Sequence, residues 1–369
     1  MSNIKAIGTI TKTCYCNKCF SIVTWDKADA EFTTLGNRYV ICPKCGGHID
    51  TEDATVDYSG QIENPAALIN GVAYETVNEA LDAIVNDTTI TKATLELENS
   101  VTLEKPLSIV KGKDITLSLA KDVKLTTPTS IIVQGDLTIE GEGSIESSKR
   151  PITAYNGGTV TLKSGLIKST SDCGIEAQEG GIINIEGGEV EAQEFGAIVF
   201  TGSKLNITDG VVTAFDNAAV GGNGTKGKGD TVINIKGGEL ISNIQSAGYV
   251  ACGVYVPNTG TLNISGGKIT ANGGAGVVAR GGKVNISGGE IIATGDATIT
   301  GKVGDSKVVV PCSGVVYDKN SKYPGMDTLD INITGGIITG SKSSIEVLTN
   351  EEEPKIKVKG ATLTPPYEG

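Results

Sequence analysis

The sequence predicts an all-β chain whose larger part is a right-handed parallel β-helix, a three-sided solenoid of about 22–23 residues per rung, behind a small four-cysteine module. Three observations predict it. A motif of apolar-Asn-apolar followed by a glycine pair recurs along the chain. The composition holds 50 Gly but 4% aromatic residues and 2 Met, too few bulky side chains for a conventional core of 369 residues. Five of the 8 cysteines fall within the first 45 residues.

The motif is quoted most simply by its copies: Ile183-Asn184-Ile185, Ile233-Asn234-Ile235, Leu262-Asn263-Ile264, Val284-Asn285-Ile286 and Ile331-Asn332-Ile333, each followed by one residue and Gly-Gly. Leu205-Asn206-Ile207 is a near copy, and Val160-Thr161-Leu162 and Leu137-Thr138-Ile139 extend the series backwards with Thr in place of Asn. Successive copies lie 22 or 23 residues apart, with two longer intervals of 28 and 29 and a last one of 47. Each period carries about three short apolar segments parted by Gly-rich or polar turns, which makes one rung of a three-sided coil. Parallel strands joined this way coil right-handedly. The longer intervals predict loops near 223–230 and 245–250, and the last predicts a side excursion over 295–328.

Alternation within Ile-Asn-Ile turns the apolar pair inward and the amide outward, where stacked asparagines can form a hydrogen-bonded row. After the glycine pair, Glu239, Lys268 and Glu290 share one position on successive rungs, an alternation of charge that stabilises neighbours. Cys173, Cys252 and Cys312 each precede a Gly-apolar start and are expected as buried thiols at a corner.

At the other end, Cys16-Asn17-Lys18-Cys19 and Cys42-Pro43-Lys44-Cys45-Gly46-Gly47 are two CxxC knuckles. Each aims two thiolates at one point, and two such turns close a tetrahedral four-sulfur site whose softness and geometry suit zinc. Residues 1–57 therefore read as a zinc ribbon with one structural ion on Cys16, Cys19, Cys42 and Cys45, and Cys14 as a spare thiol or an alternative to Cys16. A closed four-thiolate site leaves no position for substrate water, so the ion folds the module. The module holds six Lys/Arg against seven Asp/Glu, a balance that favours protein docking over nucleic acid.

Between the two lies a junction, 58–91. Ile69-Asn70-Gly71-Val72-Ala73-Tyr74 reads as a hairpin edge. Thr76-Val77-Asn78-Glu79 is a capping box, after which Val77, Ala80, Leu81, Ile84 and Val85 share one helical face suited to capping a first rung. The β-helix is expected over 92–364, with 365–369 as a tail.

A formal net charge of −12 with interspersed signs leaves no basic face for phosphate contacts. The N-terminus has no apolar signal region and no stretch reaches membrane-spanning length, so neither export nor insertion is expected. Polysaccharide-cleaving sites need clustered carboxylates with a His, or Asp-held calcium with a basic residue. The solenoid has no His and two Arg, Arg150 and Arg280, with no acidic cluster evident beside them, and Asp172, Glu176, Asp209 and Asp216 are assigned to different parts of the rung. No enzymatic activity is expected.

The Gly-Gly-x-apolar-x-Ala rungs, the entry at 70–74 and the capping helix resemble the pectin-lyase-like β-helices of tailed-phage fibre, spike and head-decoration proteins, over roughly residues 60–364. Related-looking rungs occur in bacterial surface adhesins, which are expected to carry a signal peptide and wall anchor. The resemblance implies a virion structural protein, a head decoration, head fibre or tail appendage whose N-terminal module docks on a capsid or other virion protein. It also allows a homotrimer and contact with host glycans, for which Tyr249, Tyr255, Tyr317 and Tyr323 are the candidate loop residues. The alternatives are a tail-spike depolymerase, an adhesin and a cytosolic scaffold.

Overall fold

A computed structural model describes residues 65–200, 202–223, 230–243, 251–257, 259–295, 299–303, 306–319, 328–349 and 353–367, with shorter stretches at 11–15, 22–25, 31–32, 38–42, 44–46, 48–50 and 55–57. The chain forms two compact units, Met1–Ala80 and Leu81–Gly369, and the division falls inside the helix Val77–Asn86.

The first unit contains two three-stranded antiparallel sheets. In one, Thr11–Tyr15 pairs with Ile22–Trp25 and with Thr55–Asp57; in the other, Arg38–Ile41 pairs with Glu31–Phe32 and with His48–Asp50. The expected hairpin forms from Ala67–Ile69 and Val72–Tyr74. Its two turn residues, Asn70 and Gly71, both have positive φ (48° and 82°), the conformation that matches the twist of paired strands and that Asn-Gly adopts at least cost. The capping box also forms: the Thr76 N–H donates to Glu79 Oε2 at 3.1 Å and the Glu79 N–H donates to Thr76 Oγ1 at 3.2 Å. Val77, Ala80, Leu81 and Ile84 are buried along the helix that follows.

The second unit is a solenoid-like stack of parallel strands, compatible with a β-helix. A ten-stranded sheet runs from Ser108–Ile109 through Ile152–Tyr155, Ile175–Gln178, Ala197–Phe200 and Cys252–Val256 to Ser343–Leu348. A larger sheet holds the Asn motif: Thr159–Leu162, the opening half of Ile182–Ala192, the opening half of Lys204–Ala214, Val232–Ile235 and Thr261–Ile264 pair in parallel, one rung apart. The second halves of the long strands form a separate run of pairing with Leu166–Ser169, Glu239–Asn243 and Lys268–Asn272.

Strand alternation fills the interior. Ile183, Leu205, Ile233, Leu262, Val284 and Ile331 stack in register and are at most 1% exposed. The glycine pair is needed where these strands bend. A Cβ on Gly237 would lie 2.0 Å from the Thr208 carbonyl oxygen of the rung before, and Gly238 has φ of 77°. Lys268 sits between Glu239 and Glu290 in the parallel register, as the charge alternation predicts.

The excursion over 295–328 is shorter than the interval of 47 suggests. Ile299–Val303 and Ser306–Val310 do form an antiparallel hairpin, but Ser313–Asp318 rejoins the ten-stranded sheet, Val315 opposite Val277 on one side and Ile345 on the other. The reason is local: Ser313-Gly314-Val315 repeats the small-Gly-apolar start of Cys173-Gly174-Ile175 and Cys252-Gly253-Val254.

Candidate functional site

Three groups of residues carry chemistry, and the first is the pair of knuckles. Arg38–Ile41 and His48–Asp50 pair Ile41 with His48, so Cys42 to Gly47 connect a hairpin. Cys42 is buried, and its carbonyl accepts from the Gly46 N–H at 2.9 Å; Gly46 has φ of 66°, open to glycine and strained for other residues. Thr11–Tyr15 and Ile22–Trp25 pair antiparallel, Tyr15 opposite Ile22, and Cys16 and Cys19 lie outside the described residues. Cys14 is inside the strand, opposite Val23.

The second group is the outward amide row. Asn184 Nδ2 donates to Thr161 Oγ1 at 3.2 Å, Asn206 to Asn184 at 2.8 Å, Asn234 to Asn206 at 2.9 Å, Asn263 to Asn234 at 2.9 Å and Asn285 to Asn263 at 2.8 Å. A second, shorter row joins Asn272 to Asn243 at 2.6 Å.

The third group was not foreseen. Arg150, Asp172, Glu194 and Asp216 follow one another at intervals of 22 residues, one rung, and the coil brings them to one corner beside the ten-stranded sheet. Arg150 reaches Asp172 Oδ1 at 3.3 Å and Glu176 Oε2 at 2.6 Å, so the expectation that no acidic cluster adjoins it is corrected. Glu176 is 1% exposed and accepts from Gln178 through its other oxygen. Gln193 donates to Asp216. Ligand atoms of Asp172, Cys173 and Glu194 all lie within 4.8 Å of one another. Arg150 Nε is buried without a hydrogen-bond partner.

The corner separates the behaviour of its acids. Burial raises Glu194, and the Asp172 charge raises it further. Burial also raises Glu176, against the opposing pull of Arg150. Burial alone would raise Asp172 too, but the hydrogen bond from the Cys173 N–H and the Arg150 charge carry it below the usual range. The Cys173 thiol is pushed up to about 12, chiefly by burial, which keeps it protonated and unreactive at neutral pH. Cys252 and Cys312 are buried as expected.

Arg280 has a different setting. It is buried, donates through Nε to Asp318 Oδ2 at 2.9 Å and through a terminal nitrogen to the Tyr255 hydroxyl at 3.1 Å. Tyr255 and Tyr317, expected in loops, are strand residues 6% and 0% exposed. The Tyr317 hydroxyl donates to the Leu329 carbonyl and accepts from the Lys355 N–H, both at 3.4 Å. Tyr255 is buried in a cluster with Val278, Val310 and Val316, against which Phe195 packs, whereas Tyr317, the residue after Val316, turns to the opposite face of its strand. Tyr249 and Tyr323 lie outside the described residues.

Comparison of the chain with protein-family models, with curated proteins and with solved structures returns no match. Among the described residues no helix is long and apolar enough to cross a membrane.

Proposed function

We propose that the chain is a non-enzymatic structural component of a tailed-phage particle. In this reading a right-handed, three-sided β-helix stands exposed as head decoration, head fibre or tail appendage, and residues 1–57 anchor it as a zinc ribbon. The observation that carries the reading is the amide row: from Asn184 to Asn285 the outward polar groups bond to one another at 2.8–2.9 Å. Polar surface is used to tie rung to rung, as a load-carrying rod requires.

Three sides are supported by the pairing. The larger sheet separates into two runs of parallel pairs, and the ten-stranded sheet supplies a third. Right-handedness follows from the strong chirality preference of parallel crossovers. The zinc assignment to Cys16, Cys19, Cys42 and Cys45 is supported by the CxxC spacing and by the antiparallel pairing of Tyr15 with Ile22 and of Ile41 with His48, and the in-strand position of Cys14 favours Cys16 over it. Zinc would hold the two strand pairs together through four thiolates. The partners that fit are a virion protein bound through the first unit, further copies in a trimer, and host glycans met along the rod at positions other than Tyr255 and Tyr317.

Quantitative mass spectrometry of purified particles from the source strain tests the proposal. Recovery at a fixed copy number is expected, with a high number marking head decoration and a low one a tail appendage. Absence from particles would sink it.

A second reading, cleavage of a polysaccharide, is favoured by the Asp172 and Glu194 carboxyl groups, whose environments push their acidities in opposite directions at a separation within 4.8 Å. Its test is a glycan-cleavage screen in which any activity found must be lost in Glu194→Gln.

A further inference from the structure

We propose that the corner joining Asp172 and Glu194 is a proton-operated latch, tight when Glu194 is protonated and loosened when both carboxyl groups are charged. The inference rests on the geometry of the corner and holds whether or not the chain is carried on a particle.

The two groups sit on successive rungs, and their oxygens lie within 4.8 Å of each other. The titratable groups that face them are Arg150 from the preceding rung, the neutral Cys173 thiol and Glu176 on the rung of Asp172, and Asp216 on the next. Arg150 supplies the positive charge of this group, and it is divided between Asp172 and Glu176. Four acids share one guanidinium, and the pull of Arg150 on Glu194 is smaller than the opposing effects of burial and of the Asp172 charge. Two carboxylates this close in a half-buried setting repel, and a proton on Glu194 removes that repulsion.

The repulsion acts on a specific backbone contact. The Glu194 N–H donates to the Asp172 carbonyl at 3.3 Å, a long bond beside the 2.9 Å of Gly174 N–H to the Phe195 carbonyl and the 2.8 Å of Asp216 N–H to the Gln193 carbonyl. When both side chains are charged, this link between turns is the one that yields.

The sign follows from Glu194, whose proton is held more firmly in the folded chain than in the unfolded one, by burial first and by the Asp172 charge second. Such a group favours the folded state fully below its unfolded titration range, and the advantage is lost as pH rises through the folded one. The Glu176 contribution runs through the wild type and a Glu194 variant alike, so a pH-dependent difference between the two reports Glu194 and the groups it faces, and the Asp172→Asn background assigns the share that belongs to the pair.

The test is thermal unfolding of the full chain and of Glu194→Gln from about pH 4 to about pH 8. At the upper end Glu194→Gln should melt on the order of 1–3 °C above the wild type, and the two should converge at the lower end. In an Asp172→Asn background, which keeps an acceptor for the Cys173 N–H, the gain should fall to half or less. Glu189→Gln, at an exposed position, serves as the control and should show no comparable convergence. A difference independent of pH, no difference at all, or the same gain with Asp172→Asn would each overturn the latch.

Discussion

Asn234 donates its amide to Asn206 at 2.9 Å and accepts the amide of Asn263 at the same distance, so one side chain ties three rungs. Replacing it with Ala removes both bonds and leaves its neighbours partly unsatisfied. We expect Asn234→Ala to cost about 1–3 kcal/mol in chemical denaturation, and Thr161→Ala, which ends the row and loses one bond, about half as much.

Glycines divide by what lies beside them. At Gly237 a methyl group meets the Thr208 carbonyl oxygen at 2.0 Å, whereas at Gly157, with φ of 83°, nothing lies within 4 Å. Gly237→Ala should therefore cost about 2–3 kcal/mol through displaced backbone, and Gly157→Ala about 1 kcal/mol through dihedral strain alone. Denaturation midpoints of the two variants measure the contrast.

The buried pair Arg280 and Asp318, with side chains 3% and 7% exposed, is stable as a pair and costly when halved. Asp318→Asn leaves the guanidinium without its counter-charge in a dry setting and should cost about 3–5 kcal/mol. Tyr255→Phe, which removes one hydroxyl acceptor from the same guanidinium, should cost about 1–2 kcal/mol. A double-mutant cycle on the three residues gives their coupling.

Elemental analysis of the purified chain should find one zinc ion, and a chelator should melt the first unit while the parallel strands keep their circular dichroism. Cys42→Ser and Cys45→Ser should each lower the zinc content well below one. Cys14→Ser should leave it unchanged, since Cys14 lies opposite Val23 within a strand.

What the sequence disclosed and what it hid have a common cause. The Asn column and the glycine bends were legible because each repeats at one period, and the Asn70-Gly71 turn because it depends on two adjacent residues alone. The ten-stranded sheet hid its outer face: nothing local to Gly253-Val254-Tyr255 records that Phe195 and Val310 cover the ring, so the tyrosine reads as a loop residue. Arg150 and Glu176 meet across 26 residues and different rung positions, a contact set by the corner. A signal for that corner was present all the same, in the 22-residue spacing of Arg150, Asp172, Glu194 and Asp216. Reading the period for acids and bases, as well as for Asn and Gly, would have found it.

The measurement that tests the central claim most directly is incorporation of a Cys42→Ser, Cys45→Ser chain into particles, compared with the unchanged chain by quantitative mass spectrometry. The account predicts that the variant keeps its parallel-strand circular dichroism in solution and is missing from purified particles, because the anchor has lost half its thiolates. Equal incorporation of the two chains would contradict it.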